Sequence, residues 1–191
     1  CLNALLAGLF VLAAGLVGRT DSPQAGVVAG VLAASSGWTL YLSGIAYVES
    51  GLLFLGMLSC GCGLRAVRDC QNRMRWLAVA GVMAGLACGF KYTALALVVF
   101  PLLALPVIAI HGSLRHRLTG SIVFGVAALL AFSPWGIKNV AMTGNPVFPL
   151  LHTVFPSEPA GWGSVEAEHF ATPHDPAVDE DWRGAVPVRA N

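Results

Sequence analysis

Residues 76–114, WLAVAGVMAGLACGFKYTALALVVFPLLALPVIAIHGSL, decide the fold, because Lys91 is the one charged side chain in that stretch. A helix crosses the roughly 30 Å hydrocarbon core of a bilayer with about 20 apolar residues. The stretch therefore supplies two crossings, one on each side of Lys91. Residues 1–18, 22–48, 50–64 and 118–137 likewise contain no Asp, Glu, Lys or Arg. The chain as a whole is 56% hydrophobic and 11% charged, against about 25% charged in a soluble domain. It reads as all-α, a multi-pass transmembrane helical bundle with a short extracytoplasmic C-terminal segment.

The net charge of +1 is unevenly spread. Residues 1–155 hold nine basic and three acidic side chains, and residues 156–191 hold two and seven. No basic patch interleaved with aromatics is present, which speaks against a nucleic-acid partner. The basic residues sit instead between apolar blocks: Arg19; then Arg65, Arg68, Arg73 and Arg75; then Arg115 and Arg117. Short loops rich in Lys and Arg stay cytoplasmic, and this rule yields a consistent path. Leu2–Gly18 runs inward, a helix from Pro23 runs outward to about Trp38–Tyr41, and Ile45–Leu64 returns. Trp76–Phe90 goes out, Tyr92–Ile110 comes back and Leu118–Trp135 goes out again. Residues 1–135 are thus expected to be about six transmembrane helices. Ser35, Ser36 and Gly37, and Ser43 with Gly44, suggest a break or an outer loop in the second block, and Trp38, Tyr41, Tyr47 and Trp135 suit an interfacial aromatic belt.

Residues 136–156, with Pro146, Pro149 and Pro156, read as an interfacial segment, since proline interrupts the ladder a span requires. Residues 157–191 read as an exposed extracytoplasmic loop, truncated. The chain opens on Cys1 inside an apolar run and without a basic n-region. Leu2–Gly18 is therefore read as a span of a longer protein and not as a signal peptide.

Two ionisable residues stand out, because a charge at the centre of a span costs about 2.5–3.5 kcal/mol on insertion scales. Glu49 lies about one turn inside the outer end of its helix. It could orient a sugar hydroxyl, balance a cation or contact a metal; the alternative is a surface carboxylate reaching headgroups. Lys91 at an outer edge suits a phosphate or pyrophosphate, or else snorkels at a helix end. Lys138 and Asn139 follow the last span and either touch a lipid phosphate or anchor the helix end. Gly81, Gly85 and Gly89, and Gly26 with Gly30, are four apart and read as helix-packing faces. The cysteines lack paired zinc-ligand spacing. Glu166, Glu168, His169, His174 and Asp175 cluster in the tail without a defensible metal motif.

GLACGFKYTALALVVFPLL, followed after one basic loop and one span by SPWGIKNVAMTGNPVFPLL, resembles the C-type integral membrane glycosyltransferases. The likeness is nearest to the bacterial dolichyl-phosphate-mannose protein mannosyltransferases and the aminoarabinose transferase of lipid A. Lys91 matches the lysine that ends a Gly-rich helix in that family. Pro134, Trp135, Lys138, Asn145 and Pro146 resemble its later Pro-Trp, basic and Asn-Pro feature. AYVESGLLF resembles its Tyr-x-acid feature, which singles out Tyr47 and Glu49.

The resemblance implies a cavity open to the extracytoplasmic side of a bacterial plasma membrane. A polyprenyl-phosphate sugar enters it from the bilayer, and the sugar passes to an unspecified acceptor. The implied site is catalytic Glu49 with Lys91, Tyr92, Tyr47, Lys138 and Asn139 binding substrate. No cofactor is implied beyond the lipid-linked donor, and a metal requirement stays open. The family's central aspartate lies in a first extracytoplasmic loop that this sequence does not display, so the chain alone is expected to be inactive. A multi-span transporter or permease is the competing function, because broken helices and intramembrane charges also mark transport sites.

Overall fold

The computed structural model describes residues 2–45, 48–151, 154, 155, 163, 165 and 166. Among them the chain is all-helical, without strands. The helices are α1 Leu2–Gly18, α2 Pro23–Ser35, α3 Gly37–Gly44, α4 Glu49–Arg68, α5 Arg73–Phe90, α6 Phe100–Ala109 and α7 Leu114–Thr143. A π-helical turn, Leu95–Val99, leads into α6. The chain divides into two compact units, Cys1–Pro134 and Trp135–Asn191.

Length and composition qualify two helices as membrane spans, α4 and α7. The pair α2 and α3, bent by 55°, makes a third if it is one broken span. α1 and Leu95–Ala109 are shorter apolar helices.

In the first unit, helix starts and stops follow local chemistry. Ser22 caps α2 by accepting a hydrogen bond from the Ala25 amide at 3.1 Å, and Pro23 occupies the first turn, where its missing N–H costs nothing. The α2–α3 bend falls at Ser36, whose backbone is extended, within the anticipated Ser-Ser-Gly break.

α4 and α5 form an antiparallel hairpin across residues 69–72: Gly51 near the start of α4 abuts the ring of Phe90 at the end of α5. Midway along the hairpin, the buried Ser59 hydroxyl donates to the Ala80 carbonyl at 2.7 Å. α1 lines up alongside, with Asn3 Nδ2 donating to the Ile45 carbonyl at one end and Arg68 reaching Asp21 at the other, 3.6 Å away.

The interior combines many small residues with a few large ones, Leu77 and Phe124 among them. Ala66, Ala80, Ala84, Ala87, Ala94 and Ser59 are fully buried, while Leu5, Leu12, Val27, Leu32, Ile122 and Leu129 are exposed. Small side chains let helix backbones approach closely where lipid removes any hydrophobic drive between helices. Gly81 and Gly85 carry this furthest: a Cβ on either would collide with the α7 backbone at Phe124 and Ala128, with the Ala127 and Ala131 methyls 2.9 Å away. Gly26 is equally closed in by Arg19 and Gly15, whereas nothing lies within 4 Å of a Cβ at Gly89.

The last helix departs from expectation. α7 does not stop at Trp135 but runs through Pro134 to Thr143. Proline cannot donate to the carbonyl four residues back, and the Ser133 hydroxyl takes that orphan, donating to the Leu130 carbonyl at 2.8 Å.

In the second unit, Gly144 closes the helix at φ +76° with its N–H on the Val140 carbonyl at 2.9 Å. A turn then wraps around Asn145, whose side chain is fully buried. Its Oδ1 accepts from the Val147 amide at 2.9 Å, and its Nδ2 donates to the Leu150 carbonyl at 2.7 Å.

Candidate functional site

Glu49 is the first residue of α4, and Lys91 caps the C-terminus of α5. A carboxylate at a helix N-terminus and an ammonium at a C-terminus both complement the helix dipoles. The hairpin brings the two ends level, and Lys91 Nζ donates to Glu49 Oε1 at 2.7 Å. The Glu49 side chain is 22% exposed and that of Lys91 45%. The second carboxylate oxygen, Oε2, is buried and meets no donor.

The pair borders a cavity of about 640 Å³. Phe10, Leu42 and Leu52 form apolar parts of its wall, and Thr93 adds a hydroxyl beside Lys91. Trp38 and Tyr41, three apart on α3, also line it, and their rings meet edge to face at 5.7 Å between centroids. Sequence reasoning assigned both aromatics to the interfacial belt and missed their place at the cavity. The signal was there in their i, i+3 spacing, which sets them on one helix face. The arrangement suits an amphiphile: one charged corner on an otherwise largely apolar hollow.

The remaining sequence-singled residues fall elsewhere. Tyr92 follows Lys91, and its ring meets Phe132 of α7 edge-on at 6.2 Å. Tyr47 lies outside the described residues. Lys138 and Asn139 belong to the second unit. The Lys138 ammonium sits 4.6 Å over the Trp135 ring. Asn139 is buried and donates to the Pro146 carbonyl at 3.3 Å, bracing the turn.

Asp21 pairs with Arg68, at the end of α4 opposite Glu49. Cys60, Cys62, Cys70 and Cys88 are free thiols, and no cluster of three metal-ligating side chains occurs among the described residues. Of the tail cluster, Glu168, His169, His174 and Asp175 lie outside them.

No curated protein and no solved structure matches the chain. A family model does, that of the dolichyl-phosphate-mannose-protein mannosyltransferases, over residues 2–137. That match takes in α1 to α6, most of α7, and both partners of the Glu49–Lys91 pair. The chain belongs to the dolichyl-phosphate-mannose-protein mannosyltransferase family.

Proposed function

We propose that the chain serves the transfer of a sugar from a polyprenyl-phosphate donor to an acceptor on the extracytoplasmic side of a bacterial plasma membrane. The observation that carries this reading is the Glu49–Lys91 pair at the border of a largely apolar cavity. Family membership supports the glycosyl-transfer chemistry. The gathering of arginines at the opposite end of α4 and α5 supports the orientation, since basic loops stay cytoplasmic.

In this reading the lipid phosphate lies against Lys91 and the sugar beside Glu49. The acceptor hydroxyl oxygen attacks the anomeric carbon, and the bond from that carbon to the phosphate oxygen breaks. The electron pair leaves on the phosphate, and the hydroxyl proton goes to a carboxylate. Lys91 lowers the barrier by balancing the charge that develops on the departing phosphate. Glu49 positions donor or acceptor through its carboxylate. By resemblance, the proton-accepting carboxylate is an aspartate of the first extracytoplasmic loop. The donor is a substrate, and the step as written takes no separate cofactor.

The test is Lys91→Gln in the complete protein, with transfer from a radiolabelled lipid-linked sugar and donor binding both measured. Loss of one charge-assisted contact to phosphate predicts at least about tenfold weaker donor binding and a matching fall in rate. Unchanged binding and rate would overturn the assignment of Lys91.

A further inference from the structure

Most hydroxyls of the first unit are spent on backbone carbonyls. Thr20 donates to Val17 at 2.7 Å, Ser43 to Leu40 at 2.7 Å and Thr119 to Arg115 at 2.9 Å. Ser59 and Ser121 reach across to other helices, at Ala80 and Leu103. Two hydroxyls at the α2–α3 break differ. Ser36 holds the N-cap position of α3, yet its side chain accepts from no first-turn amide, whereas Ser22 does cap α2. Thr39, three residues on, is only 7% exposed, and its hydroxyl has no hydrogen-bond partner among the described residues.

A buried threonine ordinarily satisfies itself on a carbonyl one turn back. Four residues before Thr39 comes Ser35, the last residue of α2, on the far side of the 55° bend. That local remedy is out of line. A hydroxyl kept without a partner in apolar surroundings costs free energy, and a ligand that pairs with it recovers that cost. Ser36 and Thr39 both line the cavity that Glu49 and Lys91 border. Glu49 Oε2 and Ser50 Oγ also lack partners, but both are sealed from solvent, so the cavity wall offers its unspent hydrogen bonds from the start of α3.

We propose that Ser36 and Thr39 bind the sugar of the lipid-linked donor, by hydrogen bonds to its hydroxyls, and thereby determine specificity for the sugar-bearing lipid. This inference rests on the donor reading given above. A hydrocarbon chain in that part of the cavity leaves both hydroxyls unpaired, whereas a sugar both donates and accepts, as a hydroxyl does. A sugar ring also has an apolar C–H face, and the Trp38–Tyr41 pair lines the same cavity from the same helix. The work is then divided: Lys91 meets the phosphate, and α3 reads what the phosphate carries.

The test titrates the complete protein in nanodiscs with polyprenyl-phosphate mannose and with the same polyprenyl phosphate lacking its sugar. The wild type binds the mannosyl lipid more tightly. Thr39→Val keeps the shape and removes the hydroxyl, so it weakens the mannosyl lipid about fivefold, the loss expected for one neutral hydrogen bond, and leaves the bare lipid phosphate unchanged. Ser36→Ala acts in the same direction, and Thr39→Ser retains most of the affinity. Without ligand, Thr39→Val melts at or above the wild type, because the lost hydroxyl had no partner; this separates lost recognition from lost folding. Lys91→Gln weakens both lipids, since both carry the phosphate. Thr39→Val that spares both lipids, or weakens both alike, overturns the sugar site while the role of Lys91 stands. Lys91→Gln without effect on either lipid overturns the donor reading, and the sugar site with it.

Discussion

Glu49 and Lys91 stand 42 residues apart in the chain and 2.7 Å apart in space. They meet because α4 and α5 run nearly equal lengths from their short connection, so that the first residue of one helix levels with the cap of the other. In water such a half-exposed pair contributes little. Beside an apolar cavity, however, either charge left alone loses its counter-charge at a place where water is partly excluded. Thermal unfolding of Lys91→Ala, Glu49→Ala and the double variant should therefore show a coupling of about 1 kcal/mol, the double variant being more stable than the sum of the singles predicts. Strict additivity would mean that the contact contributes nothing.

Gly85 and Gly89 occupy the same stripe of α5 but differ in what they face. Gly85→Ala drives a methyl into the Ala128 backbone and costs about 1–3 kcal/mol. Gly89→Ala enters open space and is neutral to stabilising, within about 1 kcal/mol, because alanine is the better helix former. Melting temperatures in one detergent compare the two directly, and equal losses would contradict the packing described for α7.

Asp69, in the connection between α4 and α5, has its carboxyl held below the ordinary value of 3.8, chiefly by the Asn72 amide and then by the Trp76 indole. A carboxyl whose folded pKa is depressed stabilises the fold above its unfolded value, and that contribution disappears as pH falls through the lower folded value. Acid titration of the melting temperature should therefore steepen below 3.8 in the wild type, and Asp69→Asn should flatten that limb. Parallel titration curves would rule out these hydrogen bonds as the cause.

Asn145 organises the turn after α7, and Asn145→Ala leaves the Val147 amide and the Leu150 carbonyl without their partner. Loss of the two hydrogen bonds costs about 1 kcal/mol each. Amide exchange at Val147 is expected to accelerate by at least tenfold while α4 and α5 keep their protection. Unchanged exchange would show that the turn holds by other means.

Much of this was legible in the sequence because the signals are local and periodic. Glycines four apart marked the α5 face that meets α7, and Pro23 marked where α2 begins. The Ser-Ser-Gly run marked its break. Glu49 and Lys91 could be set at the same end from the arginine loops alone. What escaped depended on compensation or on facing. The last span was read as ending at Trp135, but Ser133 takes the carbonyl that Pro134 leaves without a donor, and the helix continues to Thr143. Trp38 and Tyr41 have the composition of a membrane belt, and composition does not distinguish a side chain turned to lipid from one turned to a cavity. Asn145 belongs to a family-like feature, yet its burial in a turn is visible only once the backbone is traced.

The distribution of side-chain size, with alanine prominent inside around Leu77 and Phe124 and many leucines and valines on the perimeter, departs from the tolerance map of a water-soluble protein. In a saturation scan of the first unit, swapping one bulky aliphatic for another along the perimeter should pass almost unnoticed. Adding a single carbon at Ala80, Ala84 or Ala87 should be among the most damaging changes in the chain.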